Sequence, residues 1–114
     1  MATFEATTHP LAFAHMEGGV KTVFVLPWTL ELSVISSGDR IEFDNLGSIT
    51  LGMVRRYGCL KELLTAEGHS NVVPEADDLD HAITLLHESV GWNHNAEEKD
   101  GVLALRVRWA KRKA

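Results

Sequence analysis

The chain has a single cysteine, Cys59, so an internal disulfide is excluded and a reducing compartment is the setting that fits. No apolar run approaches the roughly 20 residues that a membrane-spanning helix needs. The start, Met1 to His9, lacks the basic segment and long apolar stretch of a secretory signal, which predicts a cytoplasmic protein with no membrane partner. No Gly-x-Ser-x-Gly nucleophile motif is present. Gly18-Gly19 lacks both the further glycine and the preceding strand of a dinucleotide-binding loop, so no nucleotide cofactor is expected. The six histidines, His9, His15, His69, His81, His87 and His94, show no His-x-x-x-His spacing and lie away from Cys59, so no metal is expected either. Cys59, without a Cys-x-x-Cys partner, reads as a packing residue at a helix start.

What is present is one ordinary globular domain, residues 1–114, with a monomer as the default state. Hydrophobic content of 45% beside 24% charged residues is enough for one core and rules out a disordered composition. The net charge of −5 argues against nonspecific binding to nucleic acid. Arg106, Arg108, Lys111, Arg112 and Lys113 nevertheless make the C-terminus locally basic, with residues 110–114 read as a tail. A basic stripe of this kind attracts phosphates only within about 8–10 Å.

Residues 1–8 read as an extended entry. Pro10 suits the first position of a short helix whose face is formed by Leu11, Ala14 and His15, with Phe13 and Met16 beside it and Gly18-Gly19 at its end. Lys21 to Leu26 reads as a buried strand. After Pro27, the alternation of Trp28, Leu30, Leu32 and Val34 predicts a half-buried strand. Arg40–Phe43 and Ile49–Tyr57 form a hairpin, with a bulge near Gly52–Val54 where the alternation breaks. A helix over Leu60–Glu67 stops at Gly68, and 69–76 is a loop. Asp77 or Asp78 caps a helix with the stripe Leu79, Ala82, Ile83, Leu86 and Val90, ended by Gly91. A polar loop from Trp92 to Gly101 precedes a last strand, Val102–Trp109, with Leu103, Leu105, Val107 and Trp109 on one face. The sum predicts an α+β fold: a small, strongly curved, mainly antiparallel barrel with two or three short helices.

Lys21 stands where a glycine turn hands over to the core, either as the start of a site or as a solvated strand end. Phe24, Leu26 and Trp28 can serve as core or as an apolar floor for a stacked base. Arg55, Arg56 and Tyr57 end a strand, where a guanidinium and a phenol could flank a nucleotide.

The order short helix, Gly18-Gly19-Val20-Lys21-Thr22, strand, Gly38-Asp39-Arg40-Ile41-Glu42-Phe43, Tyr57-x-x-Leu60-Lys61-Glu62-Leu63-Leu64, Gly101-Val102-Leu103-Ala104-Leu105-Arg106 resembles the ASCH domain family of the PUA-like superfamily of small β-barrels. The resemblance covers about residues 8 to 108. It implies binding of RNA or a nucleobase-like ligand, such as a modified nucleoside, in a cleft beside Lys21. It also implies an alternative, deacylation of an N-acylated cytidine by the family's amidohydrolases. Those use the signature lysine, a threonine three residues later and a glutamate from the segment after the central strands. Gly19, Lys21 and Thr22 match the family signature, whereas Phe24 stands at the threonine position and Leu26 at that of an arginine. The glutamate falls around Glu67 to His69, which makes Glu67 the candidate beside Lys21 for catalysis. The expected ligand-binding set is Lys21, Thr22, Phe24, Trp28, Arg55, Tyr57 and Arg106.

Overall fold

A computed structural model describes residues 1–113. In chain order the elements are β1 (Thr3–Ala6), α1 (Pro10–Glu17), β2 (Val23–Pro27), a single 3-10 turn (Glu31–Val34), β3 (Arg40–Phe43) and β4 (Gly47–Tyr57). They continue with α2 (Leu60–Glu67), α3 (His69–Val72), α4 (Leu79–His87), α5 (His94–Asp100) and β5 (Val102–Arg112). The strands form one sheet in the order β1-β3-β4-β5-β2, antiparallel throughout except for the β1–β3 pair. Two 11-residue strands, β4 and β5, are its spine, and the sheet curls strongly into a half-barrel. The architecture is α+β, as the alternation of strands and short helices predicts.

Two cores lie on the two faces of the sheet, because successive strand residues point opposite ways. Inside the curl, Phe24, Leu103 and Leu105 join Phe13, Ile41, Phe43, Ile49 and Leu51. On the other face, Val23, Val25, Val102 and Ala104 pack beneath Leu60, Leu63, Leu64, Val72 and Ala82. β2 is therefore buried on both sides, which is why Val23–Pro27 reads as a nearly continuous apolar run.

Several expectations are corrected. Residues 28–34 are not a strand. After Pro27 the chain tightens into i→i+3 bonds, Leu32 N–H to the Thr29 carbonyl and Ser33 N–H to Leu30, leaving Leu30 and Val34 exposed while Trp28 and Leu32 pack on the core. The described residues hold five α-helices rather than two or three. α3 and α5 escape an apolar-stripe criterion because α5 buries no residue and α3 is a single turn; α5 is set instead by Asn93, whose Oδ1 accepts the Ala96 N–H at 2.9 Å. α1 buries Phe13 and Met16 and leaves Leu11 exposed. Asp78 is the cap of α4, which ends at His87, so Val90 lies beyond the stripe and is exposed. Cys59 stands at the start of α2, as expected, but is exposed rather than packed.

The entry segment is strand β1, paired with β3. Residues 110–113 are not a free tail: Ala110, Lys111 and Arg112 pair with Ile49, Ser48 and Gly47, and the Lys113 N–H reaches the Leu46 carbonyl; Ala114 lies outside the described residues. The bulge expected near Gly52–Val54 is present, and a second register shift falls opposite Arg108. That extra residue reverses the alternation of β5, turning Trp109 outward and Ala110 inward against Ile49.

Candidate functional site

Lys21 is held by the backbone on both sides. The His15 carbonyl at the end of α1 accepts both the Val20 and Lys21 N–H groups at 3.0 Å, and the next N–H, that of Thr22, donates to the Asn71 carbonyl at 2.9 Å. Gly19, with φ of 77°, provides the left-handed step between helix and strand. Lys21 is only 6% exposed, and its Nζ donates to the Val72 carbonyl. A solvated strand-end lysine is thereby ruled out.

Burial lowers the Lys21 ammonium from its ordinary value of 10.5 to about 8, while the Glu75 carboxylate pulls it back up. The amine lies 5.9 Å from the centre of the Phe24 ring, at the outer limit of a cation–π contact.

Around the lysine is a cleft of about 680 Å³. Phe24 and Leu26 contribute from β2, Thr7 to Pro10 from the loop before α1, Val72, Val73 and Glu75 from the end of α3 onward, and Leu86 and Glu88 to Asn93 from the α4–α5 region. The lining is largely apolar, and its charges are unbalanced: Glu5, Glu31, Glu75 and Glu88 stand against the one lysine, with no arginine. Such a cavity disfavours a phosphate and suits a flat, neutral or cationic molecule with hydrogen-bonding edges. His15 borders the charged end: its Nδ1 is buried without a hydrogen-bond partner, 3.9 Å from a Glu75 carboxylate oxygen.

Of the residues expected in the site, the cleft brings together Lys21 and Phe24, with Leu26. Thr22 is outside its lining and contributes backbone bonds to Asn71 and Val107. Trp28 lies beneath the Arg56 guanidinium, 4.2 Å from ring centre to carbon, and Arg56 is anchored on the Asp100 carbonyl at 2.8 Å. Arg55 and Arg106 are exposed on the sheet and do not line the cleft. Tyr57 donates its hydroxyl to Glu67, and that bond raises the phenol above its ordinary range. Glu67 is thus committed to Tyr57 and is not the carboxylate of the Lys21 site.

That carboxylate is Glu75. Its sequence signal is slight: the apolar pair Val72-Val73, both buried, draws Glu75, two residues on, to the cleft wall. A second depression, of about 860 Å³, lies along β1, β3 and the end of β5, where Arg40, Lys111, Arg112 and Lys113 mix with Glu5, Glu42 and Asp44. Arg112 there is paired with Glu17, Nε to both carboxylate oxygens at 3.1 Å, so the basic end of the chain is partly neutralised within the molecule. Outside both, His87, His94 and Glu97 converge despite the missing His-x-x-x-His spacing, because the turn after α4 carries His87 back toward α5.

No family model and no curated protein matches the sequence. Among solved structures, the fold is similar to that of the hypothetical protein PH0355, with a TM-score of 0.83, 21% identity, and coverage of 99% of this chain and all of that one. It is also similar to the protein PF0455 from Pyrococcus furiosus, with a TM-score of 0.73, 20% identity and 96% of each chain covered. At these identities the likeness is one of fold.

Proposed function

We propose that the chain is an ASCH-type, PUA-like domain that holds a neutral, nucleobase-like small molecule in the Lys21 cleft. The observation that carries this reading is the buried Lys21, its amine on the Val72 carbonyl, at the floor of a cleft whose remaining charges are all glutamates. A base or nucleoside offers what such a cleft can use. Its ring stacks against Phe24 and the neighbouring apolar wall, its carbonyl edge accepts from the ammonium, and its amino groups donate to a carboxylate. An RNA strand fits less well, because its phosphates would face four carboxylates. The single exposed cysteine agrees with a reducing, cytoplasmic setting.

Equilibrium binding of cytidine, uridine and adenosine tests the reading. One of them should bind with an affinity that changes little between low and high salt and falls about tenfold or more in Lys21→Ala. Short RNA bound more tightly than any nucleoside, with a steep salt dependence, would overturn it.

Glu75 favours a second reading, the amidohydrolase. Lys21 and a carboxylate from the segment after the central strands occupy one cleft, although Phe24 leaves no hydroxyl at the threonine position. In that reaction water adds to the acyl carbon of an N-acylated cytidine as Glu75 takes its proton, and the C–N bond breaks as the Lys21 ammonium protonates the leaving amine. Release of acetate from acetylcytidine above a Glu75→Gln control would establish it; equal rates would leave binding alone.

A further inference from the structure

We propose that His87, His94 and Glu97 form a site for one divalent transition-metal ion of the zinc type, set beside the cleft wall that Trp92 and Asn93 build. Local structure explains the convergence. α4 ends at His87, Gly91 with φ of 77° reverses the chain, and the Asn93 cap starts α5 with His94. His94 and Glu97 then stand three residues apart on one helix face.

The three possible ligand atoms all lie within 4.8 Å of one another. His87 Nε2 is 3.0 and 3.2 Å from the two Glu97 oxygens. Metal–ligand bonds of about 2.0–2.2 Å place adjacent donors roughly 3.0–3.5 Å apart, so this edge already has coordination dimensions. The remaining closure falls to His94, which is exposed and free to turn about its side-chain torsions. Its ring centre is 5.3 Å from that of His87. A simple His87–Glu97 ion pair would not require this second imidazole.

The surroundings are those of a metal ligand set. The Trp92 indole N–H donates to Glu97 Oε1 at 3.0 Å and fixes the carboxylate, both of whose oxygens lie within 3.2 Å of His87 Nε2. Two imidazoles and one carboxylate suit zinc and its neighbours rather than calcium or magnesium, which prefer all-oxygen ligands. Three protein ligands leave an open position for water. Trp92 lines the Lys21 cleft as well, so one side chain joins the two sites.

Untagged full-length protein, stripped with a chelator, should bind Zn²⁺ at one ion per chain in isothermal titration at neutral pH, and Co²⁺ should give the intense visible bands of a low-coordinate site. His94→Ala should abolish that stoichiometric site without changing the circular dichroism of the metal-free protein, because His94 is exposed. Glu97→Gln should weaken it as strongly. Trp92→Phe, which removes the orienting hydrogen bond and keeps an aromatic ring in place, should weaken it by about 10- to 100-fold. His81→Ala, in the first turn of α4 where the imidazole accepts the Asp77 N–H, should leave it unchanged. Absence of binding, or binding that survives His94→Ala and Glu97→Gln with matching circular dichroism, would overturn the site and assign any zinc taken up to scattered surface histidines.

Discussion

Lys21 is a charge placed where charge is penalised. A fall from 10.5 to about 8 corresponds to roughly 3 kcal/mol of preference for the neutral amine in the folded protein. The unfolded chain therefore binds the extra proton between these values, and stability rises with pH across that interval. Between pH 7.5 and 9.5 the gain from this group should be roughly 2 kcal/mol, read from urea midpoints against Lys21→Met as the reference. The window stops there because the raised Tyr57 phenol adds the opposite trend once it ionises. Lys21→Met should itself be more stable than the parent at pH 7 by roughly 2 kcal/mol, the desolvation saved less about 1 for the Val72 carbonyl left without its donor. A substitution that stabilises the fold while removing ligand binding marks a residue kept for function. Phe24 behaves in the opposite way. It is 6% exposed and sits edge-on to Phe43 at 5.1 Å, so Phe24→Ala should cost about 3–5 kcal/mol in chemical denaturation.

At the scale of elements, Asp39 joins two strands that the chain separates widely. Its carboxylate accepts the Ala2 N–H and the Ser36 N–H, both at 2.9 Å, which fixes the start of β1 beside β3 and closes the turn before β3. These bonds, that from Ala2 foremost, hold the acid below its ordinary 3.8. A lowered folded value gives stability that is present above the unfolded value and lost as the pH falls below about 4. Asp39→Ala should cost about 1–3 kcal/mol at pH 7, and the difference from the parent should narrow on acidification. Gly101 sets the start of β5: with φ of 82°, a Cβ there would stand 2.3 Å from the Tyr57 carbonyl oxygen. Gly101→Ala should destabilise far more than Gly19→Ala, whose Cβ would meet open space and which should cost about 1–2 kcal/mol for its left-handed backbone alone. Strands were legible where burial is one-sided or complete, as in Val23–Pro27, and helices where an apolar stripe exists, as in α2 and α4. α5 was hidden because a cap and a solvated face carry no periodic signal. The 3-10 turn at Glu31–Val34 differs from the strand expected there because exposed Leu30 and Val34, flanking Leu32, imitate strand alternation, and Trp109 turns outward because one extra residue at Arg108 reverses the parity.

The whole molecule makes the cleft from segments that only the fold brings together: the entry to α1, strand β2, the chain after α3 and the α4–α5 junction. This explains what sequence could and could not disclose about the site. Lys21 was visible because its glycine turn and strand are contiguous, but Glu75 arrives from over 50 residues away, carried by the burial of Val72 and Val73. Glu67, nearer to the expected position, was drawn off by Tyr57. The charge balance agrees with the cleft: a chain of net charge −5 with four glutamates around one buried lysine is built for an uncharged guest. The most direct measurement is an amide-resolved NMR titration of the labelled protein with cytidine, and separately with a short RNA, in the parent and in Lys21→Met. Nucleoside-induced shifts should be confined to Lys21–Leu26, Val72–Glu75 and Trp92, and absent from the variant. Shifts confined instead to the exposed Arg106–Trp109 surface and produced by RNA alone would contradict binding in the Lys21 cleft.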